Sequence, residues 1–87
     1  MVIMKDELIL KNNLKQHREN KGLSQEELAI LVGTTRQTII AVEKGKFNPS
    51  AKLALLLTAA LDVKYEDLFY FKSKEKKCFN LKMLTML

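Results

Sequence analysis

The sequence predicts a mostly α-helical domain of five helices, with a small antiparallel pairing of strands from its N- and C-terminal ends. Three observations predict it. Ser24, Thr35 and Ser50 each stand at the head of an apolar-periodic segment, and Gly22, Gly33 and Gly45 each close one. Hydroxyl residue first and glycine last is the punctuation of short capped helices. Apolar residues recur three and four apart between these marks. Two stretches break that rhythm: Leu8–Asn12 (LILKN) and Phe69-Tyr70-Phe71, one aliphatic and one aromatic, which read as strands and as each other's partner.

The elements follow in order. Residues 1–7 (MVIMKDE) read as a frayed start. After the first strand, Asn13 is placed to cap a helix running through Lys21, with Leu14 inward. Ser24-Gln25-Glu26-Glu27 has the form of a capping box, in which Ser24 and Glu27 each satisfy the other's backbone N–H. That helix runs to Val32, with Leu28, Leu31 and Val32 inward and Ala29 small enough for a close neighbour. Thr35 opens the next helix, which ends near Lys44; Ile39 and Val42 share its inner face. Two helices of roughly ten residues joined by a tight glycine turn are the sequence form of a helix-turn-helix, here at about residues 24–44. Ser50 opens a fourth helix to Leu61, whose inner face is Leu53, Leu56, Leu57, Ala60 and Leu61. Lys64 to Leu68 makes one more short turn.

Composition narrows the function classes. With 87 residues the chain has room for one domain and hardly two. Its 15 Lys plus Arg against 10 Asp plus Glu give a net charge of +5, which favours polyanionic partners without proving one. Cys78 is the only cysteine and His17 the only histidine, so an intrachain disulfide is excluded and the ligand set of a zinc site is missing. No acid–base or nucleophilic pair clusters on the chain, so the sequence implies no enzyme, no cofactor and no metal. No apolar run approaches the ~18 residues of a membrane span, and Lys5, Asp6 and Glu7 interrupt any secretory start. The expected location is cytoplasmic, without a membrane partner.

The third helix carries the functional signal. With Ile39 and Val42 set inward, a 100° step per residue turns Gln37, Ile40, Ala41 and Lys44 outward, with Arg36 at the edge of that face. Arg36 and Gln37 also fall in the first turn, where free N–H groups and the positive dipole end lie. Arg can read guanine O6 and N7, Gln can read adenine N6 and N7, and an apolar side chain can meet a thymine methyl. Taken singly, Arg36 and Gln37 are ordinary surface residues; the two capped helices around a glycine turn favour the reading role.

The segment SQEELAILVGTTRQTIIAVEKGKFNPS, Ser24 to Ser50, resembles the lambda-repressor/Cro-like helix-turn-helix family of DNA-binding regulators, also called the XRE family. The resemblance rests on Gln25, Leu28, Ala29, Gly33, Thr35, Ile39, Glu43, Gly45 and Pro49 at the family's spacing, and spans roughly Asn12 to Phe71. The ending DVKYEDLFYF is similar to a compact subgroup with a terminal two-stranded sheet. The resemblance implies a lambda-repressor-like domain over residues 8–71 that binds double-stranded DNA. It implies that Gln25 touches phosphate and braces the recognition helix, and that Thr35, Arg36, Gln37 and Thr38 form the reading and phosphate-holding tip. It further implies that Lys44, Lys46, Asn48 and Ser50 grip the DNA backbone, and that Arg18 and Glu43 form an ion pair between the first and third helices.

A single recognition helix reads few base pairs, and the family answers with two-fold homodimers on palindromic half-sites about 34 Å apart. The expected dimer surface is the stripe Ala51, Leu55 and Ala59 on the fourth helix, with Leu68, Phe69 and Phe71 beside it. The expected output is repression by blocking a promoter. The rival reading is a protein-interaction module, such as an antitoxin-like partner with secondary DNA binding. Residues 72–87, basic and then apolar, have no counterpart in the family; they read either as a disordered basic tail or as a short amphipathic helix through Phe79, Met83 and Leu87.

Overall fold

The computed structural model describes residues 8–73 and 78–79. Strand β1 (Leu8–Asn12) leads into α1 (Leu14–Asn20), α2 (Gln25–Val32), α3 (Arg36–Glu43), α4 (Ala51–Leu61) and the single turn α5 (Tyr65–Leu68). Strand β2 (Phe69–Ser73) and the two-residue β3 (Cys78–Phe79) follow. Five helices and an antiparallel pairing of terminal strands are the predicted architecture. β1 pairs with β2 in the register Asn12↔Phe69, Leu10↔Phe71 and Leu8↔Ser73, and β3 adds to the far side of β2. The sheet therefore runs past Phe71. Cys78 and Phe79 are extended rather than helical; Met83 and Leu87 lie outside the described residues, as do residues 1–7.

Helix ends follow local chemistry. Ser24 Oγ accepts from the Glu27 N–H, and the Glu27 carboxylate accepts from the Ser24 N–H, completing the capping box. Ser50 Oγ accepts from the Leu53 N–H in the same way at α4. At the other end of α2, Gly33 takes φ +74°, which costs glycine nothing. The N–H groups of Gly33 and Thr34 then satisfy the Ile30 and Ala29 carbonyls. α4 ends on the same pattern with Asp62 at φ 54°, the one non-glycine residue with positive φ among the described residues.

The cap of α1 differs from expectation. Asn13 makes no side-chain cap bond. Asn12 does it instead, its Oδ1 accepting from the Leu14 N–H at 3.0 Å, while Asn13 turns its amide to the Asp67 carbonyl. The reason is the strand: Asn12 is the last residue of β1, so the chain turns there and an Asx-type bond two residues ahead closes.

The core is built from Leu14, Leu28, Ala29, Val32, Ile39, Val42, Ala54, Leu57, Leu61, Leu68 and Phe69. A fully buried Leu such as Leu57 contributes on the order of 2 kcal/mol of transfer free energy. Two expected core residues are outside it: Leu31 is 60% exposed and Leu56 is 38% exposed. On α4 the buried line is Ala54, Leu57 and Leu61, spaced i, i+3, i+7. The helix thus turns the line Ala54, Leu57 and Leu61 toward the core it shares with α2 and α5, and Leu56 is turned out. Leu68 and Phe69, expected at a dimer surface, are 0% and 1% exposed. The turn of α5 into β2 drives both side chains into the chain's own core, where Phe69 also meets Tyr65 with ring centroids 5.1 Å apart.

Candidate nucleic-acid interface

α2 and α3 meet across the turn Gly33–Thr35, and α3 presents its first turn outward. Thr35 caps α3, its Oγ1 accepting from the Thr38 N–H at 3.2 Å. The Thr35 and Thr38 hydroxyls also share a 3.1 Å hydrogen bond. One hydroxyl proton satisfies that bond and the other stays available to a phosphate. Arg36 and Gln37 are exposed and, among the described residues, have no side-chain partner. No acidic residue stands in the first turn of α3. The positive dipole end, the free N–H groups and Arg36 therefore add up rather than cancel, so the electrostatics of this tip favour an anion.

The outward face behind the tip is less open than its periodicity suggests. Lys44 is exposed, while Ile40 and Ala41 are half-buried. Beyond Lys44, the Gly45 N–H bonds the Val42 carbonyl and the Lys46 N–H bonds the Ala41 carbonyl, so the chain reverses sharply. That reversal puts Lys46, Phe47 and Asn48 on an exposed loop before the Ser50 cap.

The rear of α3 is held by one carboxylate. Arg18 Nε donates to Glu43 Oε2 at 2.7 Å, with the side chains 9% and 5% exposed. A second Arg18 nitrogen reaches Glu43 Oε1 at 3.4 Å, and the third donates to the Leu23 carbonyl at 2.7 Å. Gln25 Nε2 donates to Glu43 Oε1 at 3.1 Å. Glu43, the last residue of α3, is therefore tied to α1 through Arg18 and to the head of α2 through Gln25, while Arg18 also reaches the turn before α2 at Leu23. Its hydrogen bond raises the Arg18 guanidinium further above its already high range. Gln25 keeps a second amide hydrogen, so bracing Glu43 leaves it able to donate outward.

Asn12 is the member that residue patterns did not reveal. Its Nδ2 donates to the Val42 carbonyl at 2.9 Å, at the C-terminal end of α3, while its Oδ1 caps α1. One side chain thus fixes the end of the strand, the start of α1 and the end of α3. The only signal in the sequence was the pair Asn12-Asn13, and it does not say which of the two reaches α3.

The comparisons agree with this geometry. The helix-turn-helix family profile matches residues 14–68. A transcriptional regulator of this type from Methanocaldococcus jannaschii is 48% identical over 66 residues, covering 76% of this chain and all of its own. YgzD, a regulator of the same type from Bacillus subtilis, is 45% identical over 65 residues, covering 75% and 98%. Among solved structures, the restriction-modification controller protein C.AhdI of Aeromonas hydrophila is similar, with a TM-score of 0.59 and 42% identity over 62% of this chain and 78% of that one. The chain belongs to the XRE-type, lambda-repressor-like helix-turn-helix family. It is a DNA-binding transcriptional regulator. Among the described residues no helix is long and apolar enough to cross a membrane, and no cluster of His, Cys, Asp and Glu could hold a metal ion.

Proposed function

We propose that the protein binds a palindromic operator as a homodimer and represses by occupying promoter DNA. The observation that carries this reading is the bare, acid-free tip of α3, with Arg36 and Gln37 exposed on a helix whose rear is locked by Glu43 and Asn12. A reading head needs free donors in front and a fixed angle behind. Arg36 and Gln37 take the base edges, and the exposed parts of Ile40 and Ala41 meet thymine methyls. Thr35, Thr38 and Gln25 donate to phosphates on one side of the groove. Lys44, Lys46, Asn48 and the Ser50 region hold the backbone on the other, which sets register and much of the affinity. Ala51, Leu55, Ala59 and Phe71 remain as the dimer surface once Leu68 and Phe69 are assigned to the core.

The test is a mobility shift and footprint on DNA from around the protein's own gene. Protection should show two symmetric half-sites with centres one helical turn apart, about 34 Å. Transcription from a promoter overlapping that site should fall as protein is added. Equal affinity for operator and random duplex, or activation of that promoter, would remove the reading or the repressor role respectively.

A further inference from the structure

The carbonyl of Val42 stands where α3 ends and the loop through Lys44, Lys46 and Asn48 begins. It accepts twice. The Gly45 N–H donates to it at 3.0 Å, which turns the chain, and Asn12 Nδ2 donates to it at 2.9 Å from the end of β1. A carbonyl has two lone pairs, so both are used, on a residue that is 0% exposed. The last carbonyls of a helix have no partner within it. Here one partner is a side chain from a strand, 30 residues away along the chain.

That donor is held on every side. Asn12 is the register partner of Phe69, which is buried in the core, so the sheet fixes its backbone. Its Oδ1 accepts from the Leu14 N–H at 3.0 Å, which fixes the plane of the amide. Its neighbour Asn13 is tied elsewhere: the backbone N–H donates to the Leu68 carbonyl at 2.8 Å and Nδ2 to the Asp67 carbonyl at 3.3 Å. Asn13 makes no hydrogen bond to α3.

We infer that Asn12 is a specificity-determining positioning residue: it pins the joint between the reading head of α3 and the loop that grips phosphate, and acts through α3 rather than on DNA. The inference rests on the roles proposed above for Arg36, Gln37 and Lys46, and adds the residue that makes them act together. Base edges and phosphates lie at fixed positions on a duplex. If the joint pivots, the loop can be seated while the head is misplaced, or the pivot must be ordered at a cost on binding. An operator rewards both contacts, whereas random DNA rewards only the phosphates. Loss of the pin therefore lowers selectivity more than general affinity. The Arg18–Glu43 pair acts differently. It is a buried ion pair, and its loss is felt by the whole fold. Asn12 holds one backbone carbonyl by a neutral bond, which is worth much less to stability.

Asn12→Asp keeps the oxygen that caps α1 and removes the hydrogen that Val42 receives. Asn12→Ser keeps a capping hydroxyl and is too short to reach α3. The affinity of the full chain is measured for the footprinted operator and for a random duplex of equal length, at a temperature where a thermal melt shows each variant folded. Both variants should lower the operator-to-random ratio about fivefold to tenfold, the worth of one hydrogen bond. Affinity of Asn12→Ser for the random duplex should stay within about twofold of wild type. Asn13→Ala, which loosens the same corner without touching α3, should leave the ratio unchanged. Asn12→Ser combined with Arg36→Ala should lose less selectivity than the two losses together, because a head that no longer reads gains nothing from being held. An unchanged ratio in both Asn12 variants, or an equal fall in Asn13→Ala, overturns the inference and leaves the reading roles of Arg36 and Gln37 standing. So does full additivity with Arg36→Ala, or a failure of both Asn12 variants to fold, either of which makes Asn12 a structural cap alone. A wild-type chain that binds operator and random duplex equally would remove both readings.

Discussion

The heads of α2 and α3 are a natural experiment within one molecule. Both helices have eight residues, both start on a hydroxyl cap, and they are joined by one turn. α2 has the stabilising features a helix head can have: a complete capping box and two glutamates, Glu26 and Glu27, against the dipole. α3 has the cap and nothing else; its first turn carries Arg36 and no acid. By local rules α3 is the poorer helix. The difference fits the proposed reading, in which α2 is built for the fold and the head of α3 is kept free for DNA. It also explains why the rear of α3 is tied down by Glu43, Arg18, Gln25 and Asn12. An element whose head is not optimised must be fixed from behind.

The largest expected effect comes from breaking that anchor. Glu43→Ala leaves the Arg18 charge buried and unpaired and should cost about 3–5 kcal/mol in urea unfolding. Arg18→Met combined with Glu43→Leu should recover most of that loss. If the single variant costs under 1 kcal/mol, the pair is no more than a surface ion pair and α3 is held by packing alone.

Arg36→Glu sharpens the comparison by placing in the first turn of α3 an acid such as α2 carries in its own. It should raise folding stability by about 0.3–1 kcal/mol and abolish operator binding. The milder Arg36→Ala and Gln37→Ala should each cost about 1–3 kcal/mol on the operator and relax preference at one or two base pairs. Equal losses on operator and random DNA would mean that the tip touches only backbone.

The two caps should then separate in kind. Ser24→Ala and Thr35→Ala should each cost about 1 kcal/mol of stability. Only Thr35→Ala should weaken DNA binding at temperatures where both variants are folded. A gel-shift titration beside a thermal melt decides it.

The smallest effect is a dependence on pH. The Ser24 backbone N–H, with help from its hydroxyl, holds the Glu27 carboxyl below the usual carboxylate range. A carboxyl depressed by folding stabilises the protein above its unfolded value, about 4.3, and that contribution disappears as pH falls through the lower folded value. Glu27→Gln keeps the capping geometry and should flatten the acid limb of stability against pH while changing it little at neutral pH. An acid limb that is the same in both proteins would assign it to other carboxylates.

What could be read along the chain, and what could not, divides by the range of the interaction. Ser24 with Glu27 and Ser50 with Leu53 are contacts within one turn, so spacing alone places them. Gly22, Gly33 and Gly45 close helices because a left-handed residue is needed there. Leu31 and Leu56 illustrate the limit. Each sits on a plausible apolar face, but which arc of a helix is buried depends on where its neighbours lie. On α4 the buried arc is Ala54, Leu57 and Leu61, and Leu56 falls outside it. Leu68 and Phe69 read as surface along the chain because a strand following a short helix has no fixed facing until the sheet is placed.

By itself the sequence determined the number and order of helices, the caps of α2, α3 and α4, the pairing of the first strand with the Phe69–Phe71 segment and the polar head of α3, because these depend on local hydrogen bonding and periodicity. The pattern of Gln25, Arg18 and Glu43 could be matched to the family, but that one carboxylate joins three helices is a fact of geometry. Tertiary structure alone decided that Asn12, not Asn13, caps α1 and reaches Val42 across thirty residues. It alone decided that Leu56 and Phe47 face outward while Phe69 does not. Those outcomes depend on how elements far apart in the chain are oriented against one another, and no contact within a single turn encodes that angle.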